Sequence, residues 1–222
     1  MNPNNFENIT NSFYVSIRTI RDATMDGNLT EFKYLMVEKG LCAKMRNKWD
    51  ALCDAAKYGH VTIVIYLIEE QKVNIQSNDI SEPIKLSIGN GHLNILEYFM
   101  KLDIHINYSD LLILAIENNR LNIIEFLLGQ HIDISVIVMD YALFMAMKCG
   151  HIDIVKCLLE HGANIHVEND YILQSSAENG RLDDVKYFIE KGADVNVIQY
   201  LTSSTKEIHS DIVEYLNGLV IV

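Results

Sequence analysis

The sequence predicts an all-α fold, a solenoid of about seven helix-turn-helix units, and three observations predict it. First, one segment recurs along the chain, most plainly as GHIDIVKCLLEHGANI at 150–165 and GRLDDVKYFIEKGADV at 180–195. Its opening residue marks seven copies, at Gly27, Gly59, Gly91, Asn119, Gly150, Gly180 and, in degraded form, Ile208, 28 to 32 residues apart. Self-similarity at that period signals a stack of units rather than a domain with one central core. Second, apolar residues after the marker fall at helical spacing, as in Ile152, Ile154, Val155, Leu158 and Leu159. Third, small residues share one column before the marker: Ala23, Ala55, Ser87, Ala115, Ala146 and Ser176. That column lets neighbouring helices approach closely.

Taken in order, residues 1–17 read as a capping segment in which Phe6, Ile9 and Phe13 fold back over the open end of the stack. The repeats occupy 18–216. Each begins with a first helix, from RTIRDATMDG through DALCDAAKYG, EPIKLSIGNG, DLLILAIENN, YALFMAMKCG and YILQSSAENG to QYLTSSTKEI. In the copy at 141–165 its apolar positions are Leu143, Met145 and Ala146. The marker then stops the helix, a site that favours a left-handed residue; glycine adopts it without a Cβ clash and asparagine tolerates it. A second, antiparallel helix ends at Gly40, Gly162 or Gly192, and short segments such as ANIHVEND and ADVNVIQ lead into the next copy. The last copy, IHSDIVEYL, has lost its glycine and either frays or serves as the cap, and 217–222 forms a tail. No unit buries its apolar face alone, so each is stabilised by its neighbours. Burying one large aliphatic side chain contributes roughly 1.5–3 kcal/mol.

Composition narrows the function. A net charge of −12, a pI near 5.0 and no basic stripe disfavour nucleic acid and anionic membrane surfaces. The most apolar stretches, Leu111–Ile116 and Ser135–Met139, are far shorter than the roughly 20 residues of a bilayer-spanning helix. MNPNNFENIT has neither a basic nor an apolar leader region, so an intracellular, cytoplasmic protein is expected rather than a secreted one. Cys42, Cys53, Cys149 and Cys157 lie at no metal-ligand spacing and are expected to be reduced and packed as small apolar groups. The sequons at Asn8, Asn28 and Asn107 are read as coincidence.

Candidate chemistry is sparse. His60, His92, His151 and His209 share one column just after the marker, but successive copies would hold them about 10 Å apart, which suits structural hydrogen bonds rather than a metal. The acid pairs Asp183–Asp184 and Glu69–Glu70 fall at helix ends, where solvated charge is the expected role. No phosphate loop, Ser–His–Asp set or zinc motif occurs. A non-enzyme is expected, with no catalytic residue, metal, cofactor or small-molecule substrate.

GHIDIVKCLLEHGANI and GRLDDVKYFIEKGADV resemble the second-helix and loop consensus of the ankyrin-repeat family, and the resemblance covers about 18–216. The asparagine- and isoleucine-rich dialect, with DYAL (Asp140–Leu143) and DYIL (Asp170–Leu173) in place of the family's TPLH, is similar to the large ankyrin families of giant, mimivirus-like DNA viruses. The intervals are shorter than the family's usual length, so the inter-repeat fingers are expected to be shortened or collapsed into plain loops. Only Pro83 keeps the family's helix-starting proline.

The resemblance implies a monomeric protein-binding module whose partner contacts the loop tips and the exposed side of the first helices, a concave face. Carried onto this chain, the tips are Arg46, Asn47, Lys48 and Trp49, then Gln76, Asn78 and Asp79, then Ile106, Asn107 and Tyr108. They continue with Ile137, Val138 and Asp140, then Val167, Glu168 and Asp170, and finally Val197, Ile198 and Gln199. Trp49, the single tryptophan, and Tyr108 head the set because Trp and Tyr dominate binding hot spots, although Trp49 packing as core between the first two units is an equal alternative. Val136 to Met139 form an apolar tip, either buried by a kink or part of a contact patch. Asn196, in GADVN, matches the asparagine that asparaginyl hydroxylases modify in many ankyrin proteins, with Phe188 in place of the usual upstream leucine. Two rival roles are a self-associating component of a particle and a ubiquitin-ligase substrate adaptor. For the second, Asn217–Val222 is too short to be an F-box-like tail.

Overall fold

The computed structural model describes residues 20–37, 45–76, 80–130, 134–198 and 209–219. Phe6, Ile9, Phe13, Gly40, Cys42, Asn78, Asp79, Gln199 and Ile208 lie outside them. All regular structure among the described residues is helical. The helices are α1 (20–25), α2 (Leu29–Val37), α3 (Met45–Tyr58), α4 (Val61–Ile65, continued by a π turn over Tyr66–Glu70), α5 (Ser81–Gly89), α6 (Leu93–Met100) and α7 (Tyr108–Glu117). They continue with α8 (Leu121–Gly129), α9 (Val136–Cys149), α10 (Ile152–Glu160), α11 (Tyr171–Glu178), α12 (Leu182–Glu190) and α13 (Ser210–Leu219). The chain divides into two compact units, 1–127 and 128–222. In the first, α3 packs on α5 and α5 on α7, while α2 packs on α4 and α4 on α6, so first helices stack on first helices and second on second. In the second, α9 pairs with α10, α11 with α12, and α12 with α13.

Six markers take the backbone conformation the sequence demands: Gly27, Gly59, Gly91, Gly150 and Gly180 have φ between 69° and 87°, and Asn119 has φ 54°. Each turn closes in the same way. The amide after the marker donates to the carbonyl of the small-residue column, His60 to Ala55 at 2.9 Å, His92 to Ser87 at 2.8 Å and Arg181 to Ser176 at 3.0 Å. This is the closing bond of a Schellman turn, which satisfies a helix-end carbonyl that burial would otherwise leave unpaired. The column residues themselves are buried.

Second helices end at Gly162 and Gly192 in the left-handed conformation, where Ala163 donates to Leu158 and Ala193 to Phe188, both at 3.0 Å. The copy at Gly59 carries one extra residue before the same loop. There Val73 donates to Leu67, six residues back, at 3.1 Å, and Lys72 takes the left-handed place (φ 54°). The π turn therefore absorbs an inserted residue and leaves the loop after it unchanged, a common origin of such turns. The three loops bond alike: the amides of Gln76, His166 and Asn196 each donate to the Asn or Asp side chain two residues earlier, at 2.9–3.0 Å.

Neighbouring copies are tied on two faces. In the first unit, His60 Nε2 lies 2.7 Å from the carbonyl oxygen of Met25 and His92 Nε2 lies 2.8 Å from that of Lys57, while Arg120 donates to Gly89 at 2.6 Å. Each reaches the residue two before the preceding marker. In the second unit, His209 likewise sits against Gly180, where a Cβ would meet its ring at 2.7 Å. Across the second helices, lysines stand over the tyrosine of the next copy: Lys33 over Tyr66 at 4.4 Å, Lys156 over Tyr187 at 5.2 Å and Lys186 over Tyr215 at 5.4 Å. Such contacts contribute about 0.5–1 kcal/mol each at exposed sites. The acids expected to be merely solvated join this face, Glu70 pairing with Lys33 at 3.0 Å, Glu69 accepting from the Tyr98 hydroxyl at 3.1 Å and Asp184 pairing with Lys156 at 2.9 Å.

Phe32, Met36, Leu52, Leu67 and Phe99 are fully buried in the first unit, as are Leu143, Leu158, Leu173 and Phe188 in the second. Met145 is only half-buried; Ala142 and Met147 fill its expected place in the core of α9. Cys157 is buried, but Cys149 is exposed and so is not packed as an apolar group. The last helix runs to Leu219, three residues into the segment expected to be tail.

Candidate partner-binding surface

Two segments expected as loop tips are helical. Arg46, Asn47, Lys48 and Trp49 belong to α3, which starts at Met45 because MRNKWDALCDAAKY holds no breaker before Gly59. Trp49 is half-buried there, and Lys48 Nζ donates to the Gln71 carbonyl at 3.2 Å. Ile137 and Val138 lie in the first turn of α9, capped by Ser135, whose hydroxyl accepts from the Val138 amide at 3.4 Å. Asn107 caps α7 by accepting from the Asp110 amide, and Tyr108, its first residue, is half-buried.

Three further candidates are engaged by the repeated frame rather than presented to a partner. Asp170 is buried: its carboxylate accepts from the Asp194 amide at 3.2 Å and meets His166 Nδ1 at 3.0 Å. Asp140 does the same one copy earlier, accepting from the Asn164 amide at 3.2 Å. These aspartates, 30 residues apart in DYAL and DYIL, belong to the repeated frame. Ile198 is also buried, in a short helical turn at 196–198, because an aliphatic side chain beside the stack is drawn into it. Glu168 is exposed, in a run of three left-handed residues with Asn169 and Asp170 (φ 53–56°).

The exposed side of the first helices carries a column that the tip assignment missed. Nine residues before the markers from Gly59 to Gly180 stand Asp50, Glu82, Asp110, Tyr141 and Tyr171, each exposed while the two residues after it are buried. In the second unit this column is aromatic, with Tyr141 51% and Tyr171 40% exposed; Val136 and Ile137, at 72% and 81%, open α9 on the same unit. Among the described residues of the first unit it is acidic; Arg18, nine residues before Gly27, lies outside them. Counting back from the glycines would have found it, since only a position free of packing can change from carboxylate to phenol.

A family described as "Ankyrin repeats (3 copies)" matches residues 20–110 and again 112–199. The chain is an ankyrin-repeat protein. Ankyrin repeats generally mediate protein–protein interaction and are typically non-catalytic. Alpha-latrotoxin-Lh1a of Latrodectus hasselti is 33% identical over 58 residues, 26% of this ankyrin chain, which spans only 4% of the toxin's length. The crystal structure of the human ASB11 ankyrin repeat domain has the same fold, with a TM-score of 0.58, 17% identity and coverage of 79% of this chain and 84% of that one.

In this ankyrin chain the first helices also enclose a groove of about 320 Å³ between α1 and α3. Buried Ile20, Thr24 and Ala51 and half-buried Cys53 line it, together with the charged Arg21, Asp50 and Asp54. Asp54 is held by Arg21 at 3.2 Å; Asp50 has no ion pair among the described residues. Burial, reinforced by Glu82, Asp50 and Asp54, pushes the Cys53 thiol from 9.0 up to about 12, so the groove offers a neutral thiol and not a nucleophile. Among the described residues no three His, Cys, Asp or Glu side chains converge as a metal site, and no helix is long and apolar enough to cross a membrane.

Proposed function

We propose that this chain is a non-catalytic adaptor that takes a protein partner on the exposed side of its first helices. The observation that carries the proposal is the pair Tyr141 and Tyr171, held half-exposed at the same position of successive copies beside Ile137. Rigid aromatic side chains on helices supply contact area at low entropic cost. Val138 and Glu168 would form the rim in that unit, and Lys48, Trp49, Asn107 and Tyr108 would offer contacts in the first unit. The asparagine- and isoleucine-rich dialect supports a place among giant-virus ankyrin proteins, acting in a host cytoplasm. Asn196 is exposed, with its amide nitrogen 2.7 Å from an Asp194 carboxylate oxygen, and remains the proposed hydroxylation site; mass spectrometry of the native protein would show an added oxygen there.

The test is affinity purification with wild type and a Tyr141→Ala, Tyr171→Ala variant, both checked for unchanged melting. Loss of specific co-purifying proteins from the variant supports the reading, and an unchanged set refutes it. A second reading, self-association, is favoured by the exposed Val136 and Ile137. Concentration-dependent mass in light scattering, abolished by Ile137→Asp, would establish it in place of the adaptor.

A further inference from the structure

We propose that the first unit binds an extended basic segment of a partner, with a Lys or Arg at every third residue, along Asp50, Glu82 and Asp110. This rests on the protein-binding reading and goes beyond it by naming the chemistry of the bound segment. The groove between α1 and α3 gives one basic side chain an apolar lining for its methylene stem and the Asp50 carboxylate for its head. Glu82 and Asp110 continue the line on α5 and α7, which stack in order on α3. All three are exposed and none has an ion pair among the described residues.

Helix-dipole stabilisation accounts for acids in a first turn, as at Glu82 and Asp110. It does not account for Asp50, the sixth residue of α3, where that effect has faded. Nor does the frame require acid, since Tyr141 and Tyr171 hold the same position in the second unit. Packed helices lie about 8–10 Å apart, and an extended segment in the polyproline II conformation advances about 3.1 Å per residue with three residues per turn, so successive carboxylates meet every third side chain, all on one face of the segment crossing them. Lys85 lies one turn beyond Glu82 and confines the favourable strip to the N-terminal edge of these helices.

Fluorescence anisotropy of the full chain with labelled peptides tests this. One peptide places three lysines in a Gly/Ser background at every third position, and a second places them consecutively. The spaced peptide should bind about tenfold more tightly, and Asp50→Asn, Glu82→Gln and Asp110→Asn should each weaken it about two- to fivefold, the range of exposed ion pairs. Equal affinity for both peptides would reduce the effect to the chain's net charge and overturn the inference. So would absence of saturable binding, or indifference to Asp50→Asn, as when another segment already fills the groove. If the two-tyrosine variant still loses its partners while the peptides bind alike, this inference fails and the adaptor reading stands.

Discussion

The imidazole of His92 lies against Gly59: a Cβ on that glycine would meet Nδ1 and Cε1 of the ring at 2.7 Å. One glycine thus serves two purposes, taking the left-handed backbone (φ 87°) and leaving room for the ring that bonds to Lys57.

Gly59→Ala should therefore cost more than the roughly 1–2 kcal/mol of a left-handed alanine, and His92→Ala about 1 kcal/mol for the lost bond. Combining them should cost less than their sum, because removing the ring removes the clash. Urea denaturation of the four proteins measures this, and additive costs would contradict the contact. Melts with and without EDTA should superimpose.

Asp170→Ala should destabilise the second unit by about 1–3 kcal/mol, since it strips the Asp194 amide of its buried acceptor. Thermal melting is the readout; a variant that melts like wild type would return Asp170 to the contact surface.

Glu168→Gly should raise stability by about 1 kcal/mol, because Glu168 is exposed and strained in a left-handed backbone (φ 53°) that glycine adopts freely. A lower melting temperature would show that the side chain holds the loop.

Alkali should loosen the fold. Burial, and then the Glu69 hydrogen bond, raises Tyr98 from 10.0 to about 12, as burial and nearby acids raise Cys53 from 9.0 to about 12; Lys156 is raised by its bond to Asp184. Well below pH 9 these groups hold their protons whether folded or not, so they add no slope. Between about pH 9 and 12 the unfolded chain releases protons that the folded chain keeps, so stability falls as pH rises. Cys53→Ala should flatten the fall in melting temperature over that window, and an unchanged slope would exclude the thiol as a contributor.

The frame is legible in the sequence because its demands are local. A left-handed turn admits Gly or Asn, and six described markers have it; packing admits Ala or Ser in one column, and that column is buried. The π turn is encoded in the one extra residue between Gly59 and its loop, and the buried aspartates in the recurrence of DYAL as DYIL. The contact surface is harder to read. Loop position alone suggests the tips, but Ser135 starts a helix where a tip is expected, and MRNKWD propagates one. Tyr141 and Tyr171 escape notice because hydropathy does not tell a phenol facing water from one facing a neighbour.

Every imidazole or guanidinium rung in the first unit ends on the copy immediately before it, so none depends on how many copies come after. Tandem duplication of a marker-to-marker block would create its own rung at the one new seam, and such a chain can change length in descent without redesigning that joint.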